Sequence, residues 1–291
     1  MKTNKSLDFC MKQYMGFTKH FLVFATSLVA SSVLVASPGR AATFAFSEGN
    51  FEFKNFSQSP VDTFADAIIN TPSTSGVQDT NNVTNLAKAN ASFIDNPRKA
   101  SNSSFGVAIG ANQDYLGIAE NQSTVQGIFD VEKDTLFSFD FTGDLTLKTS
   151  IDNPTVENAN ATGDVSFALI DTADNSILDY FTLGGNLTKN ANQDFLSFET
   201  NGNVSLSNLF TKTDFDGNQK SAQGSFDGSV KRYFTEKTRL ALTEINQNQV
   251  SVSVSEPSLL LPSLFCCGVI GVALKRKRKK PHHQGNNYGI G

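Results

Sequence analysis

The sequence predicts an all-β protein: an antiparallel β-sandwich, jelly-roll-like, flanked by an N-terminal signal peptide and a short C-terminal transmembrane helix. Three observations carry this. Apolar residues alternate at period two in many short segments, these segments are separated by Gly, Asn and Asp at turn-like spacing, and both ends differ sharply from the polar middle. In FAFSEGNFEF, Phe44, Phe46, Phe51 and Phe53 flank Gly49-Asn50, which predicts a hairpin. In TLFSFDFTGDLTLKTSI, Phe137, Phe139 and Phe141 share one face; Thr142-Gly143-Asp144 then reads as a turn, and Leu145, Leu147 and Thr149 continue the alternation. Val165, Phe167 and Leu169 follow in GDVSFALID, and Leu178 to Leu183 run into a predicted Gly184-Gly185 turn. DFLSFET, NVSLSNLF, GSFDGSVKRYF, RLALTEI and QVSVSV complete the set of strands. Only Pro72 to Ser104 breaks the pattern: it is polar and weakly periodic, and it predicts long loops with a helical turn or two at 66–70 and 83–91.

The ends are not part of that fold. Lys2, Lys5, Lys12 and Lys19 precede the apolar run Phe21 to Ala36, which is followed by Pro38-Gly39 and by Ala41 and Ala42. That order is the basic region, apolar region and small-residue cleavage site of a secretory signal, with cleavage predicted after Ala41 or Ala42. The predicted division is therefore a signal peptide over 1–42, a β-rich body over 43–254, a tail segment over 255–280 and a polar extension over 281–291.

Charge follows the same division. Thr43 to Ser258 holds 13 basic and 27 acidic residues, a net charge of −14, whereas Lys275, Arg276, Lys277, Arg278, Lys279 and Lys280 are all basic. An acidic body repels nucleic acid, so no nucleic-acid partner is expected. His20, His282 and His283, and Cys10, Cys266 and Cys267, all lie outside the body. A body without His or Cys has no Ser-His-Asp triad, no Cys-His pair and no nitrogen–sulfur zinc site. No catalytic residue and no cofactor are expected. Asp214, Asp216 and Asn218 in DFDGNQ have the flavour of a calcium loop, but Gly217 comes one place early and Ser225 stands where the bidentate Glu would be; an acidic hairpin turn is the expectation. Asp140/Asp144 and Asp171/Asp174 are read in the same way, as acids flanking turns.

The apolar run Leu259 to Leu274 would span roughly 24 Å as a helix, short of a hydrocarbon core of about 30 Å. The basic cluster would hold it as a membrane stop with the body outside. Ser255, Glu256, Pro257 and Ser258 before it, the short apolar run itself and the basic cluster after it together resemble the tail of PEP-CTERM sorting proteins, exported proteins of bacteria with exopolysaccharide-rich envelopes. The phrase FSFDFTGDLTLKTSIDNP also resembles cyanobacterial proteins that bear such a tail. The sequence departs from the family in having Ser255 where the family has Pro, and in the extension PHHQGNNYGIG after the basic cluster. The resemblance implies recognition of the tail by an exosortase-like membrane transpeptidase, after handling by the export machinery and signal peptidase. It also implies a non-enzymatic role at the cell surface or in the extracellular matrix, where polysaccharide is a candidate partner. Two alternatives stay open: a carbohydrate-binding or carboxylate-dependent glycan-acting body, and a single-pass membrane protein that keeps its tail.

Overall fold

A computed structural model describes residues 42–75, 83–95, 98–111 and 115–254. The predicted signal peptide and the sorting tail lie outside the described residues, except Ala42, which opens the first strand; among the described residues no helix is long and apolar enough to cross a membrane. Thirteen strands form: β1 (Ala42–Lys54), β2 (Asp62–Asn70), β3 (Ser73–Ser75), β4 (Val83–Asp95), β5 (Arg98–Ala111), β6 (Tyr115–Val131), β7 (Thr135–Ser150), β8 (Glu157–Asp171), β9 (Ser176–Leu187), β10 (Phe195–Asn201), β11 (Val204–Asp214), β12 (Gln219–Phe234) and β13 (Thr238–Val254). They build two wholly antiparallel sheets, β11-β12-β7-β1-β5-β4 (sheet A) and β10-β9-β8-β13-β6-β2 with β3 also on β6 (sheet B). The chain crosses between sheets from β1 to β2, β3 to β4, β5 to β6, β6 to β7, β7 to β8, β10 to β11 and β12 to β13. A β-sandwich is thus what the alternation foretold.

The strands are longer than the sequence suggested, because three glycine sites expected to turn the chain lie inside strands. Gly49-Asn50 sits within β1, Gly143 within β7 and Gly184-Gly185 within β9. Phe44 and Phe46 consequently face outward while Phe51 and Phe53 face inward, since an odd step separates the two pairs. The physical reason is space. A Cβ at Gly49 would fall 2.4 Å from Asn246 Oδ1, and one at Gly143 would fall 2.5 Å from the Asn50 carbonyl oxygen and 2.7 Å from the Phe226 ring. The described residues of the span 72–104 are likewise mainly strand rather than loop or helix: they hold β3, β4 and the first half of β5, and 66–70 lies in β2. The turns that do form use backbone that Gly, Asn and Asp adopt readily, with positive φ at Asp134, Asn175, Gly202 and Gly217.

The interlayer has two parts. One is aromatic: Phe141 packs edge-on against Phe167 at 4.8 Å between centroids, Phe181 lies 4.3 Å from Phe226, and Phe51 lies 4.6 Å from Phe53. Such pairs are worth ~0.5–1.5 kcal/mol beyond the area they bury. The other part is small and polar. Ser47, Asn102, Ser104, Asn121, Ser123, Glu244, Asn246 and Asn248 are all buried. Asn248 Nδ2 donates to the Ser104 carbonyl at 3.0 Å, Ser104 Oγ to Asn246 Oδ1 at 2.8 Å, and Asn102 Nδ2 to the Ser123 carbonyl at 2.9 Å as well as to Glu244. Burial pushes the Glu244 carboxyl well above the usual carboxylate range; its bond from Asn102 opposes that shift and Asp164 adds to it.

Both ends of the body leave from one pole. Ala42 pairs with Ala111, Ser253 pairs with Leu116, and Tyr115 Oη donates to Thr43 Oγ1 at 2.6 Å beside them. Ion pairs to buried carboxylates tie sheet A to the sheet B side: Lys220 to Asp194, just before β10, at 2.7 Å near that pole, and the partly exposed Arg232 to Asp179 at 2.8 Å toward the other.

Two outcomes follow from this packing. Gly143→Ala has nowhere to put its methyl group against backbone, so it lowers stability by about 1–3 kcal/mol in chemical denaturation. The folded Glu244 keeps a proton that the unfolded chain gives up, so stability falls as pH rises above the ordinary carboxylate range, by at most about 1.4 kcal/mol per pH unit, until the buried carboxyl itself ionises. Glu244→Gln removes that slope. Urea unfolding at a series of pH values between 4 and 8 reads it, and equal slopes in the two proteins would refute the assignment.

Candidate functional site

The outer faces of the sheets, rather than the core, offer the concave surfaces. Sheet A presents alternate residues of β5, β1, β7 and β12 to solvent, and their antiparallel register sets polar side chains in rows: Ser103, Asn50, Asp144 and Ser225 in one, Ser101, Glu52, Thr142 and Asp227 in the next. Between these rows lies a trough of about 390 Å³. Asn50 Nδ2 donates to Asp144 Oδ2 at 3.1 Å, and Lys99 pairs with Glu52 at 3.2 Å. Burial raises the Asp144 carboxyl, with the Asn50 bond opposing it. Burial also raises Glu48, two positions before Asn50, and the Asp144 charge adds to the shift while Lys148 opposes it. The glycine in the floor, Gly143, is needed by the inward packing already described.

Sheet B carries a second concavity of about 420 Å³ across β8, β9 and β10. Here Asp164 lies beside Gly184, which lies beside Ser197; Ser166, Thr182 and Glu199 form the next row. Phe195, 47% exposed, stands at the rim. Thr162 Oγ1 donates to Asn186 Oδ1 at 2.8 Å, and the Tyr180 hydroxyl donates to Glu199 Oε1. Burial raises the Asp164 carboxyl, opposed by a bond from Ser166.

The residues singled out in the sequence are distributed differently. Asp140 and Asp144 flank no turn; both stand on the outer face of β7, where Asn55 Nδ2 donates to Asp140 Oδ2 at 2.8 Å. Asp171 and Asp174 do serve a turn, accepting from the backbone N–H groups of Ala173 and Ser176. Asp214, Asp216 and Asn218 lie at the β11–β12 turn, where Asp214 Oδ1 accepts from Asp216 N at 3.4 Å. Among the described residues no group of three or more His, Cys, Asp or Glu side chains converges as a metal site would require. Ala41, Ser255 to Ser258 and Lys275 to Lys280 lie outside the described residues. The sequence reading missed Asp164, Thr182, Gly184, Phe195, Ser197 and Glu199. The available signal was the alternation through LGGN, which continues across both glycines and puts Gly184 on the outer face.

In sheet A, Asp144→Asn removes the charge that helps hold Glu48 up. The Glu48 midpoint in a carbon-detected NMR titration therefore moves down toward its ordinary value, while burial keeps it above. An unmoved midpoint would show that the two carboxyls do not sense each other.

No protein family model matches this chain, and neither curated proteins nor solved structures yield a match.

Proposed function

We propose that this is an exported, non-enzymatic protein of the cell surface or extracellular matrix, whose C-terminal tail is recognised and processed by an exosortase-like transpeptidase. One observation supports the reading above all: the first and last described strand residues, Ala42 and Val254, lie at the same pole of the body. In the sequence Ala42 adjoins the proposed signal-peptidase site, and Val254 directly precedes Ser255-Glu256-Pro257-Ser258. Pro257, two places beyond Ser255, disfavours helical backbone at the residue before it, which suits recognition by a protease. The repeated crossings between sheets suit a jelly-roll-like winding, an architecture that places its loops at two poles. With the tail in a membrane, the pole bearing Ala42 and Val254 faces the lipid and the β6–β7, β8–β9 and β12–β13 turns face away.

Intact mass spectrometry of the native protein, from separate membrane and released fractions, tests this. The expected mass begins at Ala42 or Thr43 and ends near Glu256-Pro257-Ser258, with or without an added group. A mass that still includes Gly291 would overturn processing and leave an ordinary anchor.

A further inference from the structure

Gly184 is a glycine that neither a backbone clash nor a positive φ requires. It sits in the middle of β9, faces outward, and has no positive φ. A Cβ built there would meet only the Asp164 Oδ2 atom at 3.2 Å and the Gly163 carbonyl at 3.9 Å. Its neighbour Gly185 faces inward and is explained by packing, since a Cβ there would come within 2.8 Å of Leu147 Cδ1. Glycine inside a strand weakens the strand, and where no bulge or packing conflict accounts for it, it marks close approach of something to the backbone. Gly184 thereby forms the floor of the sheet B groove, and every side chain around that floor has hydrogen-bonding or ring character: Thr162, Asp164, Thr182, Ser197, Glu199 and Phe195.

We propose that this groove binds a sugar ring of a neutral polysaccharide. The floor lets a flat pyranose lie against the strand backbone. The Asp164 and Glu199 carboxylates accept from hydroxyl groups, the Thr182 and Ser197 hydroxyls donate or accept as the sugar requires, and Thr162, whose proton goes to Asn186, accepts. Phe195 offers an apolar ring, nearly half exposed, to the C–H face of the sugar. Neutrality of the ligand follows from charge. The outward positions of sheet B hold a single basic residue among the described strands, Arg239 at the far end of β13, so no strand position in the groove compensates an acidic polymer, and the nearest basic residue in sequence is Lys189 in the β9–β10 loop. The body around it carries a net charge of −14, which repels one. Amides and hydroxyls recur farther along that face, with Gln126 donating to Thr243 at 2.8 Å and Asn160 to Ser251 at 3.1 Å, beside exposed apolar residues such as Phe64 and Ile68. The assignment does not depend on processing of the tail.

The test is affinity electrophoresis of the full-length protein in gels containing dextran, mannan, xylan or hydroxyethyl cellulose, with alginate as the acidic control. Calorimetric titration of the protein with the matching oligosaccharide follows. Retardation by at least one neutral polymer and none by alginate is expected. Gly184→Val should weaken binding at least tenfold while melting at or above the wild-type temperature, because a β-branched residue suits an exposed strand position better than glycine does. Phe195→Ala should weaken binding several-fold, and Asn50→Ala, in the sheet A trough, should leave it unchanged. Absence of retardation by every neutral polymer, retardation by alginate alone, or undiminished binding by Gly184→Val would each overturn the proposal. A Gly184→Val protein that melts lower would overturn its premise, that the fold does not require glycine there.

Discussion

The structure depends on how two sheets of very different inner faces are held at one separation. Face-to-face sheets pack about 10 Å apart, and this interlayer must hold bulky rings at one end of the sheets and Ala, Ser and Asn at the other. Glycines on opposing or neighbouring strands solve the problem locally. Gly143 receives the Phe226 ring, Gly228 receives Phe141, and Gly49 receives the Asn246 amide. Because side chains alternate at period two, a slip of one residue in any of these strands would aim a ring at a neighbour's Cβ rather than into its socket. The sockets therefore fix register as well as spacing, and long strands of 13 to 17 residues can pair without bulges over most of their length.

The polar half of the interlayer works by a different rule. Buried amides and hydroxyls contribute little when satisfied and cost about 1–3 kcal/mol each when they are not. Here β13 inserts Glu244, Asn246 and Asn248 where a sandwich core would ordinarily hold aliphatic residues. Several atoms of the seam, including Glu244 Oε1, Asn102 Oδ1 and Asn246 Nδ2, find no hydrogen-bond partner among the described residues. A carboxyl held neutral is the cheaper occupant of such a place, since ionising it would add an uncompensated buried charge. The seam thus supplies directional contacts that align β5, β6 and β13, while the Phe cluster supplies most of the burial.

Period-two alternation made the class of the fold legible, because Phe137, Phe139 and Phe141 or Val165, Phe167 and Leu169 can only be read one way. Boundaries were less legible, for a reason particular to this chain. In the sequence glycine reads as punctuation, whereas here it serves as room for a side chain on another strand, and nothing in the local sequence separates the two uses. The segment 83–95 escaped because its inward positions include Asn85, Ala87, Ala89 and Ala91, too small and polar to register as an apolar stripe. The sheet B groove could not be read directly at all: it arises only once Asp164, Gly184 and Ser197 are brought level by the pairing of three strands.

The two outer faces differ in a way that bears on how such a body would meet its surroundings. Sheet A mixes Glu48, Glu52, Asp140, Asp144 and Asp227 with Lys54, Lys88, Lys99, Lys148 and Lys231, a salt-responsive surface. Sheet B is nearly free of cations and carries amides and hydroxyls together with Asp66, Glu120, Asp164 and Glu199, so its outer face is net acidic rather than mixed. Its groove lies level with Gln247, near the middle of β13, so it opens sideways with respect to the pole where both chain ends emerge. A body tethered at that pole would hold the groove parallel to the membrane normal, where a polymer strand can cross it without meeting the tether. Release of the tail would alter how far the body travels but not which face the polymer meets, so the proposed sorting and the proposed binding place no conflicting demands on the fold.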